Sequence, residues 1–458
     1  MFFNTMASEK SLVFARKLCI QQYLRYHLRN YAKLIRQQDP EEVENMPIFQ
    51  YATENTKRKK RVYMWGNATF GALGKASFIM PTAHKRPIKS MRYPWRLPFA
   101  DFHKIFDVSC GYGFTVFAAT NEENDFTAFG TGLNSDGQIG YHCNKKKRLL
   151  ETLAEPVPIA LPLLNSGTKA IKVGCGRAHT IIVTDKEGVF SLGNNSYGQC
   201  GVPVNAKAEA DKFLSIHRIE RIDEPVSEVV CGQDHTLFLT INGKVYSCGW
   251  SADGQTGLGH YNNQYEPALV KGDIEGEKIV QLSCAADCVL AVSDKGDVFG
   301  WGNSEYSQLN SVTDEQQINI SKKLNLGIGK VLQVASGGTM CAAVDESGRV
   351  HVWGYGILGQ GPNVSVSKVP VLLPEPLFGF NEFNTDVKVT QLACSLSHFA
   401  AITNKHHLFM WGRNRGDCLG LGNQHGDQFF PYKVAVPAEV LKVSCGVDHT
   451  AVLCRAFA

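Results

Sequence analysis

Cysteine and histidine recur four residues apart in this chain, as Cys175 and His179, Cys231 and His235, Cys394 and His398, and Cys445 and His449, with Cys284 and Cys288 as a variant. Each pair could be half of a zinc site, and zinc needs four ligands within about 2.0–2.3 Å of one point. The pairs are copies of one repeated phrase, which places them on separate structural units, so each reads as a buried thiol and an imidazole bonded to a neighbouring strand. Gly354-Tyr355-Gly356-Ile357-Leu358-Gly359 satisfies the dinucleotide fingerprint, but Gln360-Gly361-Pro362 follows it. The fingerprint requires a helix there, whose N-terminus holds the pyrophosphate. Gly71-Ala72-Leu73-Gly74-Lys75-Ala76 resembles a phosphate loop, with Thr69 in place of its first glycine and Ala76 in place of the magnesium-binding hydroxyl. The chain is therefore not expected to bind GTP itself. No Ser/His/Asp or paired-carboxylate signature stands apart from the repeat, so bond-making catalysis is not expected.

The repeat is the dominant signal. Its first phrase appears at Cys110-Gly111-Tyr112-Gly113-Phe114, then from Cys175, Cys231, Cys284, Ser336, Cys394 and Cys445. A second phrase, an aromatic-Gly-x-Asn run followed by Gly-Gln-x-Gly, begins at Trp65, Phe129, Leu192, Cys248, Trp301, Trp353 and Trp411. Its leading glycine lies 18 residues after the start of the first phrase in five copies, as from Cys231 to Gly249. In the copy at Cys110 the glycine is read as Gly130, with residues 121–125 lengthening the turn.

Between the phrases the pattern is strand, turn, strand. Thr236-Leu237-Phe238-Leu239-Thr240 precedes Asn242-Gly243, and Lys244-Val245-Tyr246-Ser247-Cys248 follows. Asn-Gly between β-rich runs is a hairpin signal because both turn residues need positive φ. A unit of 50–60 residues built only from short strands reads as a propeller blade. The second phrase stands alone near Trp65, and the first stands alone near Cys445. Joined, they complete a seventh blade and remove the open sheet edges that invite aggregation. The expected fold is all-β: a seven-bladed β-propeller over 61–458, its N- and C-terminal strands closing one shared blade.

Composition agrees. Of 458 residues, 44% are hydrophobic and 20% charged, enough apolar material for a large core. No run of eighteen apolar residues predicts a membrane span. The net charge of +4 is unevenly placed, because residues 1–60 carry +5 and the rest −1. A nearly neutral body excludes a general DNA-coating role. Fourteen cysteines over this length are too sparse for a disulfide scaffold.

Residues 1–38 hold Lys10, Arg16, Lys17, Arg25, Arg29, Lys33 and Arg36 against Glu9 alone, with Leu12, Leu18, Tyr23, Leu24, Leu28, Tyr31 and Ile35 at helical spacing. A cationic, amphipathic, acid-poor start is the pattern of a mitochondrial transit peptide. Residues 1–60 are accordingly read as a helical targeting segment and basic linker. Lys57-Arg58-Lys59-Lys60-Arg61 also fits a nuclear address, and the competing reading is a nuclear or cytosolic exchange factor for a small Ran-like GTPase.

The paired phrases, in runs such as Ser191–Gly201 and Cys248–Tyr261, resemble the regulator of chromosome condensation family of seven-bladed propellers over residues 61–454. With the leader, the resemblance is to a mitochondrial member of that family. It implies two roles: assembly of the large mitochondrial ribosomal subunit through its rRNA, and guanine-nucleotide exchange on the dynamin-like GTPase of inner-membrane fusion. The implied partners are that GTPase, large-subunit mitochondrial rRNA, and pseudouridylation or ribosome-assembly proteins. The implied location is the mitochondrial matrix, with peripheral inner-membrane association. No cofactor, metal or DNA is implied. In the family's chromosomal exchange factor, aspartates and histidines of the first phrase line the rim that faces the GTPase. The matching residues here are Asp234, His235, Asp448 and His449, with His179 and His398 matching only the histidine. Asp287 is followed by Cys288 instead of histidine, and the copies at Cys110 and Ser336 lack both residues.

Long insertions carry the candidate RNA contacts. Residues 75–107 include Lys85, Arg86, Lys89, Arg92 and Arg96 among Tyr93, Trp95, Phe99 and Phe102. Cations interleaved with aromatics can pair phosphates and stack unpaired bases. Lys145-Lys146-Lys147-Arg148 in the next insertion is a second basic run. The candidates from these insertions are Lys145, Lys146, Lys147, Arg148, Lys85, Arg86, Arg92 and Trp95.

Overall fold

The computed structural model describes residues 60–80, 86–121, 126–204, 216–422 and 426–455. Among them, twenty-eight strands form seven four-stranded antiparallel sheets. In six blades the strands follow chain order. Blade 1 is Lys104–Cys110, Phe114–Thr120, Ala128–Leu133 and Thr152–Pro158. Blades 2 to 6 begin with the innermost strands Ala170–Cys175, Val226–Cys231, Ile279–Ser283, Val331–Ser336 and Val389–Cys394. The closing blade joins Glu439–Cys445 and His449–Arg455 to Lys60–Asn67 and Ser90–Arg96. Trp65 pairs with Thr450 and Arg61 with Cys454, so the ring shuts as the two lone phrases predict.

Each second strand is buried along its length, as in His235–Thr240 and Met340–Asp345. A strand covered on both faces by neighbouring blades reads as a continuous apolar run, not as an alternation. Outer strands such as Val366–Leu372 are half exposed and mixed in composition. Every innermost strand also carries a register shift three to five residues before its phrase, from Ile105/Asp107 in blade 1 to Val440/Lys442 in the closing blade. A bulge at a fixed place bends each inner strand alike.

The innermost strands are sheet edges, and their free backbone donors are capped by the preceding blade. Ser444 Oγ accepts from the Cys110 amide at 2.9 Å, Ser109 Oγ from Cys175 at 3.1 Å, and Ser283 Oγ from Ser336 at 3.0 Å. One rung lower, Asp107 accepts from the Val173 amide and Gln281 from the Val334 amide, at 3.2 and 2.8 Å. These bonds satisfy groups that would otherwise invite a foreign strand. They surround a central channel of about 570 Å3.

Both phrases lie on one face, here the upper face, because the first joins strands one and two and the second joins strands three and four. The hairpin turns and the connections between blades lie on the lower face.

One reading needs correction. Gly132, not Gly130, is the second-phrase glycine of blade 1, since it pairs with Phe114 as Gly249 pairs with His235. The hairpin insertion is four residues where the sequence pattern suggested two. Gly130 instead packs inside the blade, where a Cβ would lie 2.6 Å from Ile139 Cγ2.

Candidate functional site

The constant offset between the phrases has a local cause. The amide after each second-phrase glycine donates to the carbonyl of the fourth residue of the first phrase. Trp250 donates to Asp234 at 2.9 Å, Asn303 to Asp287 at 2.9 Å and Asn67 to Asp448 at 2.8 Å, and blades 1, 2, 5 and 6 repeat the bond. The two loops of each blade are thus clipped into one upper-face unit.

The histidines of the first phrase serve the ring. His179, His235, His398 and His449 are fully buried. His179 Nε2 meets Thr236 Oγ1 at 3.0 Å, and that hydroxyl donates to the Gln199 carbonyl at 2.7 Å. A hydroxyl has one proton, so the imidazole donates through Nε2. His449 bonds Thr115 at 2.9 Å in the same way, across the closing joint. His235 Nε2 meets Cys284 Sγ at 3.5 Å. The glycine two residues into the phrase makes room for the ring, since a Cβ on Gly232 would lie 2.1 Å from His235 Cε1. Burial pushes His179 down to about 3, and His235 and His398 to about 4. His449 differs: burial opposes its charge, but Cys110 and the Asp448 carboxylate outweigh burial and raise it. These imidazoles offer no surface to a partner, which corrects the GTPase-facing role that the resemblance attached to them.

The aspartates diverge. Asp448 is tied to Asn67 Nδ2 at 2.8 Å, with its side chain only 10% exposed. Burial opposes its ionisation, but hydrogen bonds from His449 and Asn67 prevail and hold its pKa low. Asp448 therefore fastens the closing blade. Asp234 accepts from Arg177 at 2.6 Å across the joint between blades 2 and 3. Burial raises its pKa against the pull of that guanidinium. Asp287 in blade 4 receives one bond, from Gln255 Nε2 at 2.9 Å, and burial pushes it up to about 6.

Sequence reasoning noted Asp287 but gave it no place at the rim, and it passed over Tyr112 and Arg177. The signal was available: all three lie at the third or fourth position of a first phrase. Tyr112, Arg177, Asp234 and Asp287 come from four consecutive blades and are close enough to shift the tyrosine, whose pKa rises through burial first and then through Asp287. The Tyr112 hydroxyl is buried without a hydrogen-bond partner among the described residues. Tyr112 also lines the channel, so this cluster sits at its upper mouth.

The insertions separate into two kinds. Arg92 pairs with Asp417 at 3.4 Å, and Trp95 packs edge-on to Phe78 with the Lys75 ammonium 4.9 Å from its ring. Arg92 keeps half of its side chain exposed beside this ion pair, and Trp95 is half-buried. Arg86 is exposed, and Lys85 lies outside the described residues, as do residues 1–59. Lys145, Lys146, Lys147 and Arg148 are all exposed on a turn whose Asn144 Oδ1 accepts from the amides of Lys146 and Arg148.

Among the described residues no helix is long and apolar enough to cross a membrane, and no group of three or more His, Cys, Asp or Glu residues could hold a metal. Cys284 and Cys288 belong to different buried clusters.

The chain is 48% identical over 425 residues to a mouse protein called RCC1-like G exchanging factor-like protein, covering 90% of this chain and 91% of the relative. The crystal structure of human WBSCR16 superposes with a TM-score of 0.81 at 46% identity, covering 86% of this chain and all of that one. Prp20p of Saccharomyces cerevisiae, at 17% identity, a TM-score of 0.68 and coverage of 88% and 93%, shares the fold. The RCC1-like domain pattern matches residues 51–325, and RCC1 repeats match 347–402 and 405–453. By fold, repeat and relatives, this chain belongs to the RCC1-like family of seven-bladed propellers.

Proposed function

We propose that the upper face is a non-catalytic docking site for a GTPase, with guanine-nucleotide exchange as its output. The observation that carries this reading is the cluster of Tyr112, Arg177, Asp234 and Asp287 from four adjacent blades, held at the channel mouth by the clipped loops. A half-desolvated carboxylate with one protein donor gains from a partner's donor or cation, and such perturbed groups concentrate at functional sites. The name of the mouse relative supports exchange activity. An exchange factor accelerates nucleotide loss by binding the nucleotide-free GTPase more tightly than the loaded form, and the coupling is reciprocal. Within this reading the protein works in the mitochondrial matrix, and its partner is the dynamin-like GTPase of inner-membrane fusion.

The test is release of a fluorescent guanine nucleotide from that GTPase, and from a Ran-like GTPase as comparison. Asp234→Asn with Asp287→Asn is expected to lower the stimulated rate on the fusion GTPase at least about tenfold, the effect of losing roughly 1.4 kcal/mol of differential binding. An unchanged rate removes these residues from the site. Stimulation of the Ran-like protein alone replaces the partner, and fractionation of the full chain outside mitochondria replaces the location.

A second reading, support of large-subunit mitoribosome assembly through rRNA, draws on the turn at Lys145–Arg148. Four exposed cations on a pinned turn suit a phosphate backbone. Replacing all four with glutamine is expected to flatten the salt dependence of RNA binding by about 0.7 per lost contact. An unchanged slope removes this turn from the reading.

A further inference from the structure

The upper face is divided by charge. The described upper loops of blades 2 to 4, at 176–178, 194–204, 232–234, 250–263, 284–287 and 304–316, hold six acids against Arg177 alone. The six are Asp234, Asp253, Asp287, Glu305, Asp314 and Glu315. The upper loops of blade 5, at 337–339 and 356–365, hold no charge. The described upper loops of blade 6, the closing blade and blade 1 hold nine cations against five acids (395–397, 413–422, 426–427, 446–448, 68–80, 86–89, 111–113 and 134–151). Of the six acids only Asp234 is in an ion pair among the described residues, with Arg177. Asp253 lies close enough to Asp287 to add to the effect of burial in raising it, against the Gln255 bond and Arg177.

Aromatic pairs sit among these acids, at the joints between blades. A residue near the middle of the second phrase in one blade meets the residue just after the leading glycine in the next. Between blades 2 and 3 these are Tyr197 and Trp250, edge to face with ring centroids 4.6 Å apart. Between blades 4 and 5 they are Tyr306 and Tyr355, stacked at 5.4 Å. Between blades 1 and 2 the same positions hold Asp136 and Asn194, bonded at 3.2 Å, so the meeting belongs to the fold and its chemistry to the residues placed there. In blade 3 the mid-phrase position is Asp253, and in blade 4 Glu305 stands beside Tyr306. Neither carboxylate has a partner among the described residues.

The arc over blades 2 to 5 therefore runs aromatic pair, acid, acid, aromatic pair. Tyr306 and Tyr355 are exposed, and Tyr197 and Trp250 are half-buried. Each ring is steadied by its mate, so little conformational freedom remains to be lost on binding. A ring face attracts an ammonium or guanidinium placed within about 6 Å of its centroid. Unpaired carboxylates beside the rings supply the countercharge.

We infer that the upper face over blades 2 to 5 docks a lysine- and arginine-rich segment of a partner protein. Tyr197–Trp250 and Tyr306–Tyr355 seat its cations, and Asp253 and Glu305 pair with those between. Nucleic acid is disfavoured, because the six acids repel phosphate. The basic half across the channel repels the same segment, which fixes where it lies. The exchange reading rests on Tyr112, Arg177, Asp234 and Asp287 at the channel mouth. This surface is made by second-phrase loops outside that cluster, and it stands or falls separately.

The experiment is fluorescence anisotropy of a labelled peptide of alternating lysine and alanine, titrated with the full chain. Binding is expected, and it should weaken as salt rises. Trp250→Leu with Tyr306→Leu keeps apolar bulk but removes two ring faces, and is expected to weaken binding about tenfold, roughly threefold per ring. Asp253→Asn with Glu305→Gln is expected to weaken it about fivefold and to flatten the salt dependence. Tyr141→Leu with Glu151→Gln makes the same kinds of change in the basic half, and should leave binding within about twofold. Melting of each variant checks folding. Tyr306→Leu alone, at an exposed position, replaces the double variant if that one melts early, with about a threefold loss expected. No binding by the unaltered chain, or an equal loss in the basic-half control, overturns the proposal. A loss from the carboxylate pair with none from the rings shows general charge attraction and overturns it too. The assay contains no GTPase, so failure here and failure of the exchange reading are told apart by which assay is negative.

Discussion

The amide of Trp250 donates to the carbonyl of Asp234 at 2.9 Å, and this bond couples the two sequence phrases in blade 3 as its counterparts do in the other six. Gly249 stands between them at φ +108°, where a Cβ would lie 2.5 Å from that carbonyl oxygen and 2.6 Å from His235 Cα. Both contacts are backbone and cannot yield.

Gly249→Ala is therefore expected to cost about 2–4 kcal/mol, combining backbone strain with steric overlap. Gly276 also has positive φ, at +81°, but open space around it. Gly276→Ala should cost about 1 kcal/mol. Urea midpoints of the two variants check the order, and equal losses would show that φ alone governs both sites.

Stability should fall with acid. His179, His235 and His398 are pushed by burial to about 3, 4 and 4, below the ordinary imidazole value near 6.5. Between those values the unfolded chain binds more protons, so stability is lost as pH drops below about 6.5, at up to roughly 1.4 kcal/mol per pH unit per histidine. His142, His217 and His407, also lowered by burial, add to this slope, and the carboxyls of Asp287, Asp234 and Glu228, raised by burial, oppose it. Blade 1 seats Phe114 where blade 3 seats His235. His235→Phe is thus expected to preserve the fold and to flatten the slope between pH 6.5 and 5 by up to roughly 1.4 kcal/mol per pH unit. Thermal melts across that range measure it, and an unchanged slope would remove His235 as a contributor.

Asp107 is buried, pairs with Lys442 across the closing joint and caps the Val173 amide in the opposite direction. Asp107→Ala strands both donors and is expected to cost about 2–4 kcal/mol. Asp107→Asn keeps an acceptor and should cost about half as much. Chemical denaturation of both variants distinguishes a capping acceptor from a packing role, which would give equal losses.

The blades were legible because their signals are local: turn glycines, β-rich runs and a phrase offset fixed by one hydrogen bond. Gly132 was missed because the hairpin insertion in blade 1 moved the phrase out of step, and a neighbouring glycine mimicked it. The partners of His179 and Asp107 were not legible, because they lie 57 and 335 residues away and depend on how one blade faces the next. The neighbours of Arg92 and Trp95 were hidden for the same reason, since composition cannot show that Asp417 and Phe78 lie against them.

The joint between Lys60–Asn67 and His449–Arg455 also sets an order of events during synthesis. Of the described strands, the first to leave the ribosome waits for the last one, so an unpartnered edge persists through translation of almost 400 residues. Premature termination upstream of His449 would leave that edge open permanently, and would also strip Glu439–Cys445 of its partner strand. Chaperone demand should accordingly track how long the nascent chain waits, more than the stability of any single blade.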